Sequence, residues 1–146
     1  MDYIVLRLGN IYGPRQNSKG EAGVIAIFID KLLSNVRPVI FGNGDQTRDY
    51  TYVKDVAQAF ILGLEKSISG EFNIGTAQET NVNEIFKKIA EAMKNKTSPL
   101  REAEKPGDQK RISLDPQKAK KELGWAPKYG LDKGIKETAE WFKSQK

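Results

Sequence analysis

Asn10, Arg48 and Asp108 stand in three separate polar stretches, and their side-chain types set what those stretches can do. Asn10 lies in Gly9-Asn10-Ile11-Tyr12-Gly13-Pro14-Arg15, directly after an apolar run. Ligands of open parallel sheets bind just beyond the carboxyl ends of strands, so an amide there is placed to donate to a phosphate or a sugar. The same asparagine would serve equally as the left-handed position of a rigid turn. Arg48 follows Val39-Ile40-Phe41 and Gly42-Asn43-Gly44-Asp45. An aromatic at a strand end offers a face to a planar base, with backbone groups beside it to read the base edge. A guanidinium grips a diphosphate with a planar fork that an ammonium lacks. The structural alternative puts Phe41 in the core and pairs Arg48 with Asp49 or Asp55. Lys105-Pro106-Gly107-Asp108 holds a cation and a carboxylate on one turn. The cation suits phosphate and the carboxylate suits ribose hydroxyls; otherwise the turn simply carries two solvated charges. Together the three stretches make a nucleotide clamp with no catalytic group in it.

Composition narrows the chemistry further. The 146 residues include no histidine and no cysteine, which removes the commonest general base, thiolate metal sites and disulfides. Reactive groups must be carboxylates, Lys, Tyr, Ser or Thr, or come from elsewhere, and no metal site is expected. The net charge is +5, with lysines gathered at Lys87-Lys88, Lys94, Lys96 and Lys118-Lys120-Lys121. A basic RNA-binding protein has such a surface. Aromatic residues are not interleaved with these lysines, however, so a solvated face is preferred and no nucleic-acid partner is assigned. No apolar run approaches the roughly 20 residues needed to cross a bilayer. The start Met1-Asp2-Tyr3-Ile4 lacks the basic region of a signal peptide. A cytoplasmic location with no membrane partner is the expectation.

The elements that must position these groups follow from periodicity. Tyr3 to Leu8 is an almost continuous apolar run, expected to be a strand buried on both faces as in a parallel sheet. Residues 9–16 read as a loop. Ile25, Phe28, Ile29, Leu32 and Leu33 repeat with the period of a buried helix. Pro38-Val39-Ile40-Phe41 and Thr47 to Val53 read as strands, and Val56, Ala57, Phe60, Ile61 and Leu64 as the stripe of a second helix. Glu71 to Gly75 is a short strand. Asn81 is expected to cap a helix with the stripe Val82, Ile85, Phe86, Ile89, Ala90 and Met93, with Glu84 in the capping-box position. Asp115-Pro116 opens a short helix that ends at Gly124, closed by Trp125. Leu131, Ile135, Ala139 and Phe142 mark a last one. Strands alternating with helices predict an α/β or mixed α+β fold in one domain.

The polar stretches, in this order, resemble the extended short-chain dehydrogenase/reductase family, and within it the members similar to UDP-glucose 4-epimerase. The matching residues are Leu6 to Gln16, Gly23-Val24-Ile25, Ile40 to Tyr50, Val53 to Ala57, Phe72 to Gly75, Gly107-Asp108 and Leu123-Gly124-Trp125. The resemblance implies that residues 1–146 form the carboxy-terminal, substrate-binding part of such an enzyme. Residues 1–16 would be the last Rossmann-sheet strand and loop, and the amino-terminal NAD-binding half would be absent. Asn10, Val24, Ile25, Arg48 and Lys105 would then contact the sugar diphosphate, the second and third through backbone groups. Val39, Ile40 and Phe41 would line the uracil site, Asp108 would bind ribose, and Gly9 would lie beside the nicotinamide. Lys105 stands where the family usually has arginine, and Ile112 about where some epimerases place a tyrosine.

The family's catalytic Tyr-x-x-x-Lys is matched in spacing by Tyr50 and Lys54, but these fall in the substrate-side Arg-Asp-Tyr motif and are rejected as the pair. No catalytic residue is assigned to the chain. The implied enzyme is an NAD-dependent isomerase that interconverts UDP-glucose and UDP-galactose through a 4-keto intermediate. Its NAD-binding half would be supplied in cis or as a separate chain, and the full-length enzyme would form a homodimer. Rival readings are a sugar-nucleotide 4,6-dehydratase or another nucleotide-sugar epimerase, a non-catalytic nucleotide-binding module, and the basic RNA-binding protein.

Overall fold

The structure, a computed structural model, describes residues 3–20 and 22–146; the part of the sequence-start reading that falls on Met1 and Asp2 lies outside them. Strand β1 (Ile4–Leu8) pairs in parallel with β6 (Gly70–Ile74). Strand β2 (Asn10–Tyr12) pairs in parallel with β5 (Tyr50–Tyr52), Asn10 opposite Tyr50. Strand β3 (Val39–Phe41) runs parallel to β8 (Leu100–Glu102), and β4 (Thr47–Arg48) antiparallel to β7 (Thr80–Asn81). The helices are α1 (Val24–Leu33), α2 (Val53–Glu65), α3 (Val82–Met93) and α4 (Leu131–Ser144), with a π-helical turn at Ala119–Leu123. The fold is mixed α/β, as its alternating periodicities predict.

Gly9 joins β1 to β2 and changes their partner. Its N–H donates to the Ile74 carbonyl (3.0 Å) while that of Asn10 donates to Asp49 (2.7 Å). A Cβ on Gly9 would come within 2.8 Å of Thr51 Oγ1 and 2.9 Å of the Asp49 carbonyl oxygen. Only glycine lets the chain cross there so closely. The crossing also separates two cores. One gathers α1, α3 and α4 around Ile29, Ile85, Ile135, Tyr12 and Tyr52. The other packs Val56, Ala59, Phe72, Ile74, Leu123 and Trp125 between α2, β6 and the π-helical turn.

Several expectations are corrected. Strand β1 is not buried on both faces: its residues alternate, and Val5 is 42% exposed. Among the described residues it has one strand neighbour, so one face packs on α2 while Arg7 reaches across the other to Glu71. The predicted loop at 9–16 contains β2, too short for alternation to register. The single strand predicted over 47–53 breaks at Asp49, and its last residue, Val53, opens α2 instead. In α2, Val56 and Ala59 are buried beside Asp55, while Ala57, Phe60, Ile61 and Leu64 face outward, Leu64 at 89% exposure. That helix is apolar nearly all round, so its pattern alone could not say which side turns inward.

Local capping is as the sequence indicates. Asn81 Oδ1 accepts from Glu84 N at 2.8 Å, and Asp115 Oδ1 from Gln117 N at 2.9 Å. The Glu84 carboxylate faces Lys88 (3.7 Å). The turn after Asp115 widens into the π-helical one, and Trp125 is itself core, donating from Nε1 to the Asp55 carbonyl at 2.8 Å. Strands β7 and β8 had no expectation, being two and three residues long.

Candidate functional site

A cleft of about 510 Å³ opens between β2, the amino end of α1, β3, β4 and the turn at residues 105–108. Asn10 reaches it from β2, Val24 and Ile25 from α1, and Val39, Ile40 and Phe41 from β3. Arg48 enters from β4, and Lys105 and Asp108 from the turn. Five stretches spread over a hundred residues of sequence thus converge on one hollow. Gly9 and Ile112 are not among its lining residues. Gly9 is enclosed by Thr51 and Asp49, and Ile112 N instead donates to the Thr47 carbonyl (3.2 Å).

Arg48 is held from three sides. Nη2 meets Asp108 Oδ1 at 2.5 Å, and Nη1 donates to the carbonyls of Thr47 (2.8 Å) and Gln109 (2.6 Å). It pairs with neither Asp49 nor Asp55, the alternative left open by spacing. Both aspartates are committed elsewhere. Asp49, fully buried, accepts from Thr76 N and Oγ1, Ala77 N and Leu114 N, tying the β4–β5 break to the end of β6. Asp55 accepts from Lys128 N (2.9 Å) and Tyr129 N (3.1 Å) and so anchors the segment that leads into α4. Their place in the motif is therefore architectural: buried carboxylates hold up loops whose N–H groups would otherwise lack partners.

Lys105 Nζ lies 4.1 Å from the centroid of the Phe41 ring, a cation–π contact. The 105–108 turn thereby touches the cleft twice, at Phe41 through Lys105 and at Arg48 through Asp108. At the opposite wall α1 begins at Gly23 with no side-chain cap and no acidic residue in its first turn. Its first N–H groups have no intrahelical acceptor, and with the helix dipole they favour an anion. The cleft thus has an aromatic end and a donor-rich middle, with one carboxylate at its rim.

Sequence reasoning missed Gln16, Gln46 and Tyr50, which also line it. Alternation along residues 47–53 could have placed Tyr50; no periodicity points to either glutamine. Burial pushes the Tyr50 phenol up to about 12, a rise opposed by the Arg48 cation and reinforced by Asp108. Lys54 does not serve it. Tyr50 is on a strand and Lys54 on the following helix, so four-residue spacing does not juxtapose them, and Lys54 Nζ instead meets Glu137 at 2.8 Å. Among the described residues no cluster of three or more acidic side chains could hold a metal ion, and no helix is long and apolar enough to cross a membrane.

The family model described as GDP-mannose 4,6 dehydratase matches residues 1–138. A putative UDP-glucose 4-epimerase of Methanocaldococcus jannaschii is 46% identical over 144 residues, covering 99% of this chain and 47% of that protein. A UDP-glucose 4-epimerase of Mycolicibacterium smegmatis is 42% identical over 137 residues, covering 93% and 44%. The crystal structure of a UDP-glucose 4-epimerase from Thermotoga maritima with UDP-glucose superposes with a TM-score of 0.96 at 44% identity, covering 99% of this chain and 47% of that one. The chain spans about half the length of the curated relatives it matches. With the family model matched over nearly its whole length and the cleft motifs in place, the chain belongs to the extended short-chain dehydrogenase/reductase family.

Proposed function

We propose that the cleft binds a UDP-sugar and that the chain is the substrate-binding part of an NAD-dependent UDP-glucose 4-epimerase. The observation that carries this is the convergence of Phe41, Arg48, Lys105, Asp108 and the α1 amino terminus on one hollow. In this reading Val39, Ile40 and Phe41 take the uracil, Asp108 the ribose, and Arg48, Lys105, Asn10 and the backbone of Val24 and Ile25 the diphosphate. Lys105 acts as a point charge where a guanidinium would add a fork. Its seat on the Phe41 ring and the Arg48–Asp108 pair are exchanged for ligand contacts as the nucleotide enters.

NAD, when bound, would supply hydride acceptance and return at C4 of the hexose. The Cβ direction of Gly9 is filled by Thr51 and Asp49, so Gly9 would offer the cofactor a backbone edge only. The remaining contacts belong to the portion that relatives have and this chain does not span. Exposed Phe60, Ile61 and Leu64 on α2 and Val5 on β1 support a partner on that side, in cis or as a separate chain. The 146 residues alone are then inactive, and detectable conversion of UDP-glucose to UDP-galactose by the purified chain would refute this. A second reading, favoured by the description of the family model, is a sugar-nucleotide 4,6-dehydratase of the same family. Thermal-shift screening against UDP, UDP-glucose, NAD and RNA tests the proposal. Stabilisation by the first two supports it, and stabilisation by RNA alone overturns it.

A further inference from the structure

Strand β3 carries the residues proposed to take the base, yet it is three residues long and, among the described residues, pairs with β8 alone. A two-stranded pair is marginal by itself, so what holds this one comes from outside the ladder. Ile40, 1% exposed, ties its middle to the core. Its carboxyl end runs from Phe41 into the turn Gly42-Asn43-Gly44-Asp45, which leads on to Arg48 of β4. The turn is thus the chain's direct link from the base wall to the diphosphate grip.

Two side chains that do not line the cleft hold this turn. Asn83, in the first turn of α3, donates from Nδ2 to the Asn43 carbonyl at 2.8 Å. Arg101, on β8, donates from Nη1 to the same carbonyl at 2.8 Å and from Nη2 to Asn83 Oδ1 at 2.7 Å. The Asn43 carbonyl thereby uses both of its lone pairs, and the guanidinium fork fixes an angle as well as a distance. Asn83 N also donates to the Gly44 carbonyl at 3.3 Å. A Cβ on Gly44, whose φ is +77°, would lie 2.5 Å from Asn83 Oδ1, so the turn and the asparagine fit only with glycine there. A helix and a strand distant in sequence are in this way tied to the end of the base wall.

We infer that Asn83 and Arg101 are positioning residues for base selection: through the turn they fix Phe41 relative to Arg48. A braced wall excludes a larger base by clash, and a wall free to retreat loses that penalty. It also loses the pre-organisation that favours the fitting base. The brace therefore sets the preference for a pyrimidine over a purine nucleoside diphosphate. This rests on the UDP-sugar reading above and adds to it the residues that set the choice of base without touching the ligand.

Calorimetric titration of wild type, Asn83→Ala and Arg101→Met with UDP, and displacement of UDP by ADP, test the inference. Each variant should weaken UDP binding about five-fold, the scale of one hydrogen bond, and narrow the preference for UDP over ADP by about the same factor. A merely structural role would weaken both nucleotides alike and leave the preference where it was. That result, or undiminished UDP affinity in either variant, would overturn it. If wild type binds UDP and ADP equally, the base is not selected and this inference alone falls. If wild type binds neither, the nucleotide-sugar reading falls with it. Should Asn83→Ala not fold, Arg101→Met, at an exposed position, decides the matter.

Discussion

Arg48 Nη1 is anchored by two backbone carbonyls, so its guanidinium plane is set independently of the pair with Asp108. Pre-orientation of this kind limits the ordering cost of binding. Arg48→Ala should therefore weaken UDP binding by about 1.5–3 kcal/mol, the range for hydrogen bonds to charged groups. Arg48→Lys should recover little, because an ammonium cannot reproduce the fork. Calorimetry checks both, and unchanged UDP affinity in the alanine variant would remove Arg48 from the site. Asp49 belongs at the same scale for a different reason. Asp49→Ala removes the shared, fully buried acceptor of the Thr76, Ala77 and Leu114 N–H groups and should cost about 1–3 kcal/mol. Urea denaturation measures this, and a loss below about 1 kcal/mol would mean that water replaces the carboxylate. The neighbours Arg48 and Asp49 look alike in sequence, as adjacent charges. Only their opposite directions in space separate a side chain that lines the cleft from one that braces a loop.

At the scale of elements, α3 and α4 decide whether the wall behind the cleft is rigid. Helix α3 starts on a side-chain cap, and Asn81→Ala should cost about 1 kcal/mol. No change in denaturation midpoint would show that tertiary packing alone sets this end. Helix α4 has no such cap and relies on close approach. A Cβ on Gly134 would collide with the phenol of buried Tyr12, so Gly134→Ala should cost about 1–3 kcal/mol through overpacking. The α3 boundary was readable because a capping residue acts on its own next turn. The exposed side of α2 was not, because apolar residues surround that helix and the choice of inner face depends on where β1 and the π-helical turn lie.

At the scale of the whole molecule, the core around Tyr12, Tyr50 and Tyr52 makes the fold sensitive to alkali. Burial raises all three phenols above their ordinary value, Tyr50 to about 12, and for Tyr52 the hydrogen bond to Glu137 adds to it. A group whose folded pKa is raised contributes stability that is complete below its unfolded value near 10 and is lost as pH rises toward the folded one. Stability should accordingly hold up to about pH 10 and fall steadily above it. Tyrosinate absorbance and circular dichroism should then change together. Titration of every tyrosine near pH 10 with the fold intact would contradict this account.

The sequence by itself determined the alternation of strands and helices, the caps at Asn81 and Asp115, and the motifs that place the chain in its family. These depend on neighbours within a few residues, or on residue types that keep their chemistry in any setting. Tertiary structure alone decided that residues 10, 24–25, 39–41, 48, 105 and 108 share one hollow, that Arg48 meets Asp108 rather than Asp49 or Asp55, and that Gln16 and Tyr50 pack beside it. Each of those facts joins segments tens of residues apart, brought together by parallel strand pairing and packed helices. No local pattern in the chain encodes such distances.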